Sequence, residues 1–467
     1  MEIHIDTEAG RGRREEIYRQ IREAILDGRL RAGEALPPTR ELAERLAVSR
    51  NTVSAAYDRL TGEGFLEGRV GAGTFVRTDR VRGSAARRSA AEFPIETVAV
   101  WERVRMPSGA HAEFDFQAGI PDVGRFPFDT WRRLLGGEVR ASASASLGYG
   151  DPAGHTGLRE AIARHIAVSR DVRASVDEVV VTSGAQQALD LIGRVVLRPG
   201  DRVAVEDPGY PPARFLFEAL GAEVVPIGVD AEGIRVADIP RGTKLVYVTP
   251  SHQFPLGLPM SLDRRLDLVA WAGKTGAVLV EDDYDTEFRY RGRPLEPLHS
   301  LDSTGRVVYV GSFSKVLSPG LRLGFLVAPA SLCRVVAKAR FVTDWHSTGP
   351  VQAALARFID DGGLATHIRR MRREYRRRHD LVVSLLARDF GRLLTPIPAA
   401  AGLHVSAYST RPTAAVARRA LRAGVLVNTL DEYAILPGRR PGLVFGYGGI
   451  PFGKIETGLE RLRDALR

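Results

Sequence analysis

Five short apolar runs constrain this chain more than anything else in it. They are "EVVVTSG", "RVAVEDPGY", "KLVYVTPSHQ", "AVLVEDDYD" and "RVVYVGSFSK", and each breaks off abruptly into polar residues. Their apolar residues are continuous rather than alternating, which is the pattern of strands buried on both faces. Helical stretches such as "GAQQALDLIGRVVL" separate them. Strands alternating with helices imply a mostly parallel sheet covered on both sides. In such a sheet ligands bind beyond the carboxyl ends of the strands. All five polar tails are therefore expected to converge on one crevice.

The tails carry a specific chemistry. Ser183, Gly184 and Ala185 stand where a strand hands over to a helix, so their backbone N–H groups can face an anion with the helix dipole behind them. Asp282 follows a buried strand, where a carboxylate is costly without a cationic partner. Tyr284 lies two residues further on, and Tyr210, after "EDPG", can lay a flat face on a ring. Ser312 and Ser314 can donate to a phosphate, Arg322 can neutralise it, and Lys315 is the only lysine in this set. A reactive amine, a carboxylate for a ring nitrogen and a phosphate cradle together are the parts of a pyridoxal-phosphate site. No metal is called for.

The first eighty residues read quite differently. "IYRQIREAILDGRL" puts Ile17, Ile21, Ala24 and Ile25 on one helical face and stops at Gly28. "LPPTRELAERLAV" offers Thr39 as an N-cap with Leu42 and Leu46 inward; "SRNTVSAAYDRL" offers Ser49 as a second N-cap and buries Val53, Ala56, Tyr57 and Leu60. Two short helices across a tight turn form a helix-turn-helix, whose second helix meets the DNA major groove by its N-terminal end. Arg40, Ser49, Arg50, Asn51 and Thr52 are thus the candidate DNA contacts. "GFLEGRVGAGTFV" reads as a β-hairpin whose Gly71 and Gly73 permit a tight tip that can approach the backbone of DNA.

At 467 residues the chain is too long for one hydrophobic core. We expect a DNA-binding domain over residues 1–79, a linker over 80–112 rich in Arg, Ala and Ser with one helical or docked stretch near Phe93 to Val104, and a second domain over 113–467. The single cysteine excludes an internal disulfide framework and suits a reducing cytoplasm. No run is apolar enough to span a bilayer, and the N-terminus has no secretory signal pattern. The net charge of +10 points weakly to a polyanion. The basic run "IRRMRREYRRRHD" (368–380) reads as an amphipathic helix with a solvated basic face, turning Ile368, Met371, Tyr375 and His379 inward, rather than as a DNA contact.

Residues 12–78, above all "LPPTRELAERLAVSRNTVSAAYDRL" with "GAGTFV", resemble the winged helix-turn-helix of GntR-type bacterial regulators. From Phe114 onward the chain resembles a fold-type-I aminotransferase, in the form fused behind such modules: the MocR-like regulators. "YGDPAGHTGLREAIA", "TSGAQQALDL", "EDPGYPPAR", "TPSHQFPLG", "VEDDYDTEFRY", "GSFSKVLSPGLRLG" and "HIRRMRREYRRRHD" carry this resemblance. It implies an α/β domain with a smaller α+β C-terminal subdomain and an internal aldimine at Lys315. It further implies Asp282 on the pyridinium nitrogen, Tyr284 on the ring hydroxyl, Tyr210 stacked on the ring, and phosphate held by Ser183, Gly184, Ala185, Ser312, Ser314 and Arg322. Tyr149 would reach the phosphate of a neighbouring subunit, which implies a homodimer.

Two departures bear on function. Aminotransferases hold the substrate α-carboxylate with an arginine in a late strand; here the run is "LVFGY", with Val444 in that place. GABA-responsive regulators of this family carry an arginine two residues after the stacking tyrosine, where this chain has Pro212; Arg214 is the nearest basic substitute. Losing a bidentate carboxylate anchor disfavours ordinary transamination and GABA sensing. The reading is a transcription regulator of an operator in double-stranded DNA, its aminotransferase-like domain sensing an amine or amino acid, or the vitamin B6 cofactor itself. The alternative is an active aminotransferase with an appended DNA-binding domain.

Overall fold

The computed structural model describes residues 12–77, 96–106, 112–141, 148–290, 292, 296–399 and 401–466. The chain divides into two compact units, residues 1–97 and 98–467. The division falls inside the expected linker. Phe93 to Ile95 lie outside the described residues. Beyond the division a helical turn, Val100–Arg103, belongs to the large unit: Val100 is buried and Arg103 bonds Glu218 at 2.7 Å.

The small unit holds α1 (Arg13–Leu26), α2 (Thr39–Arg45), α3 (Arg50–Gly62) and a hairpin of β1 (Leu66–Arg69) and β2 (Gly73–Val76). One apolar cluster joins them, with Ile17, Ile21, Leu42, Val53, Ala56, Leu60 and Val76 almost fully buried. Asp27 caps α1 and Gly28 follows at φ +75°, as its position required. One expectation is corrected. Thr39 is the first helical residue and Pro38 the cap, because the Leu42 amide already bonds the Pro38 carbonyl at 3.0 Å. The turn into α3 puts Ala47 in the left-handed region at φ +50°.

The large unit is built on an eight-stranded sheet. After β3 (Phe114–Phe116) come β4 (Val179–Thr182), β5 (Arg202–Asp207), β6 (Glu223–Asp230), β7 (Gly233–Ile234) and β8 (Thr243–Val248). Next are β9 (Val278–Asp283), β10 (Val307–Ser312) and β11 (Gly324–Val327). Their order in the sheet is β4-β11-β10-β9-β8-β5-β6-β7, and the run from β10 to β6 is parallel. Burial on both faces is literal. Leu245 and Tyr247 pack with Leu189 and Ile192 of helix Ala185–Val196, whereas Val246 and Val248 pack with Leu268 and Ala272 of helix Leu262–Thr275.

A second sheet, of order β12-β13-β15-β14-β3, forms the smaller subdomain from β12 (Leu394–Pro396), β13 (His404–Ser409), β14 (Val425–Thr429) and β15 (Gly442–Gly446). β3 pairs parallel with β14, so the first strand of this unit closes the sheet made by its last. Helix Gly363–Phe390 carries the basic run and buries Met371, Tyr375 and His379 as expected. Arg378 departs from the solvated face. It is buried, bonding Asp122, Glu374 and the Gly448 carbonyl. The sole cysteine, Cys333, is buried, and burial pushes its thiol up to about 11.

Candidate functional site

Four of the candidate DNA contacts, Ser49 to Thr52, gather at the start of α3. Ser49 Oγ accepts from the Thr52 amide at 3.2 Å and lies 2.8 Å from the Thr52 hydroxyl, which fixes the start of α3. Arg50 and Asn51 stand exposed there, with no side-chain partner among the described residues. Arg40, also exposed, forms only a loose ion pair with Glu44 at 3.5 Å. At the hairpin tip Gly71 and Gly73 take φ +76° and +109°, which leaves the tip narrow.

In the large unit the strand register assembles an anion corner. Ser312 pairs with Gly324, and Gly324 pairs with Thr182, so the ends of β10, β11 and β4 lie side by side. Gly184, at φ +88°, caps helix Ala185–Val196. A side chain there would crowd the Arg322 guanidinium at 3.0 Å, so only glycine lets the arginine close in. Arg322 donates to the Ser183 carbonyl at 2.6 Å, and Ser312 Oγ accepts from the Ser314 amide at 3.1 Å. No hydrogen bond among the described residues engages the Gly184 or Ala185 amide. Free amides, hydroxyls and a guanidinium at a helix N-terminus suit a phosphate.

The other half of the site is acidic and dry. Tyr247 donates to Asp282 Oδ2 at 2.7 Å, while Oδ1 is buried with no partner. Burial raises Asp282 to about 6. Such an orphaned carboxylate oxygen needs a donor from outside the chain, as a ring N–H provides. Lys315 donates to the Gly119 carbonyl at 2.6 Å. Burial lowers its pKa, against the pull of Asp285 and Asp282, and Arg322 lowers it further. A lowered amine is easier to hold neutral, the form that attacks a carbonyl. Tyr284 bonds the His252 carbonyl at 2.9 Å, and Tyr210 meets the Phe254 ring edge-on.

Not every candidate joins this cluster. Tyr149 is 80% exposed and lies against Trp345 with ring centroids 4.0 Å apart. Val444 is fully buried among Leu256, Ile397 and Leu430, with no cation in its place. Pro212 is the second residue of helix Pro211–Ala219, and Arg214 lies over the Phe215 ring. Sequence reasoning missed Tyr247, Asp285, Phe254 and Arg439. Arg439 clamps Asp207 at 2.8 Å across the chain. Only "DDYD" flagged Asp285, and nothing local flags the rest.

Comparison with known proteins supplies the class. Residues 115–450 match the family described as "Aminotransferase class I and II", and residues 13–76 match "Bacterial regulatory proteins, gntR family". The probable rhizopine catabolism regulatory protein MocR of Rhizobium meliloti is 38% identical, over 99% of this chain and 95% of its own. The pyridoxine biosynthesis regulator PdxR of Corynebacterium glutamicum is 32% identical, over 97% and 95%. Among solved structures, the kynurenine aminotransferase of Pyrococcus horikoshii aligns with a TM-score of 0.72 and 29% identity, covering 80% of this chain and 95% of that one. A GntR-type DNA-binding domain is joined here to a class I and II aminotransferase domain. The chain belongs to the MocR-like regulators, and its cofactor is pyridoxal phosphate. The residues present fit that group, with an unmet acceptor at Asp282, a buried amine at Lys315 and free amides beside Arg322.

Proposed function

We propose that the large unit of this pyridoxal-phosphate-dependent regulator is a receptor, and that ligand held there alters how the small unit binds its operator. Lys315 carries the cofactor covalently, Asp282 faces its ring nitrogen, and Tyr284 and Tyr210 contact the ring. Ser183, Gly184, Ala185, Ser312, Ser314 and Arg322 hold the phosphate. The cofactor, when bound, supplies an electrophilic carbon at which an amine can be recognised. Arg40, Ser49, Arg50, Asn51 and Thr52, with the Gly71–Gly73 tip, contact DNA. The observation that carries the receptor reading is Val444, since an apolar residue replaces the arginine that anchors substrate in turnover. A ligand that prefers one conformation shifts the DNA-binding equilibrium by that preference.

The same reading makes the protein a cytoplasmic homodimer. Tyr149, Trp345 and Phe341 form an exposed apolar patch that a second copy would cover, with Tyr149 reaching that copy's phosphate. Borohydride reduction followed by peptide mapping tests the site: the label should fall on Lys315 and vanish in Lys315→Ala. Incubation with an amino donor tests the role. Keto-acid formation beyond one equivalent per site would make the protein a working aminotransferase instead.

A further inference from the structure

Behind Tyr284 lies a group of buried side chains to which no cofactor contact has been assigned. His404, Ser406 and Val444 share one face of the small sheet, since Ser406 pairs with Val444 and alternate residues of a strand face the same way. His404 Nε2 donates to the Pro255 carbonyl at 3.0 Å, and Ser406 Oγ donates to the same oxygen at 2.6 Å. With its one proton committed there, His404 presents a bare lone pair at Nδ1. That atom is fully buried and has no partner.

The neighbouring ring repeats the arrangement. His252 lies 4.7 Å from His404, centroid to centroid, and its Nδ1 is 3.0 Å from Asp285 Oδ1. Its Nε2 is buried and also without a partner. Asp285 is itself fixed, because its second oxygen accepts the Leu403 amide at 3.1 Å. The backbone makes room for this contact: Gly402 sits at φ +89°, and a Cβ there would overlap the His252 ring. Burial and the neighbouring His252 hold His404 far below its ordinary pKa, so the lone pair persists. The Tyr284 hydroxyl lies 3.0 Å from His252 Nδ1, and the Phe254 ring meets those of Tyr210, Tyr284 and His404, so the trio adjoins the residues of the ring site. Two adjacent buried acceptors left unmet call for a partner that no described residue supplies.

We propose that His252 and His404, braced by Asp285 and the Pro255 carbonyl, read the effector of this site, and that the effector is an amine bearing hydroxyl or further amino donors in place of an α-carboxylate. A carboxylate here would face two lone pairs, the Asp285 carboxyl group and the side chain of Val444, and no arginine among the described residues bonds this group. O–H and N–H groups satisfy both lone pairs at once. The inference rests on the receptor reading and narrows it to an amino-alcohol class of ligand.

A matched pair of probes decides the matter. Serinol and serine differ in a hydroxymethyl for a carboxylate, and each is titrated into the cofactor-loaded full chain while the absorbance of the lysine-bound cofactor is followed. Serinol should bind about tenfold or more tighter than serine, the scale of one buried hydrogen bond gained or lost. His404→Phe should erase that preference with the cofactor still held, and His404→Asn, whose amide oxygen restores an acceptor, should recover part of it. Serine binding as tightly as serinol would overturn the proposal. So would stoichiometric binding of zinc alone that both His404→Phe and His252→Phe abolish, because the lone pairs would then belong to a metal. Failure of the wild-type chain to show lysine-bound absorbance would sink the receptor reading first, and it is visible before any probe is added.

Discussion

The two units place their candidate site residues in opposite environments. At the start of α3, Arg50 and Asn51 stand exposed, without side-chain partners among the described residues, on a helix end fixed by Ser49. At the ends of β9 and β10, Asp282 and Lys315 are enclosed, and burial displaces both pKa values. A surface that reads DNA replaces water with phosphate and base edges, so it gains from groups already hydrated and free. A pocket that holds a reactive ring gains from groups whose protonation is set by desolvation. Each unit therefore has its own failure mode under mutation: the small one loses affinity without losing its fold, and the large one loses ligand and pH response together.

The sharpest break between them should come from Asp282→Ala, which removes the carboxylate proposed to face the cofactor's ring nitrogen. Cofactor affinity should fall by about 3 kcal/mol, or roughly a hundredfold, by equilibrium dialysis. The melting of the small unit should not move.

A pH effect of similar origin follows. With Asp282 raised to about 6, the folded, ligand-free chain keeps a proton between about pH 4 and 6 that the unfolded chain has released. Its contribution to stability therefore grows as pH falls through that window, by an amount on the order of 2–3 kcal/mol. Asp282→Asn should remove that part of the slope in thermal melts; an unchanged slope would show that the carboxyl titrates normally.

The small unit should answer to different changes. Asn51→Ala should cost about 2 kcal/mol of discrimination between operator and mismatched duplex, with the melting temperature unaltered. Ser49→Ala should lower the stability of the small unit by about 1 kcal/mol, because it deletes the cap on α3. Smallest of all is Ala47→Gly. Relief of the left-handed strain at φ +50° is offset by the extra entropy of an unfolded glycine, so urea midpoints should agree within about 0.5 kcal/mol.

How much of this was legible depended on how local the cause was. Unbroken apolar runs revealed the sheet because burial on two faces leaves no room for alternation, and the direction of the parallel strands then placed Ser183, Asp282 and Ser312 at one edge. Ser49 was legible because a cap acts on the residues that follow it. Thr39 misled because two prolines precede it, and the backbone bond to Pro38 begins the helix one residue sooner. Arg378 looked like its neighbours in the basic run. Only the fold brings Asp122 and the Gly448 carbonyl around it. Tyr247 on Asp282 needs the register of adjacent strands, and His252 beside His404 needs two sheets to meet. No spacing along the chain encodes either.

Cys333 has a practical consequence. The chain has one thiol, and it is buried against the Ala328 and Glu178 carbonyls in its unreactive, protonated form. The natural protein is thus already a silent background for site-directed chemistry. One cysteine introduced at the Val70 tip and another on an exposed position of the large unit would take fluorescent dyes with little competing signal. The distance between them, followed as serinol or operator DNA is added, would turn the regulator into its own ruler.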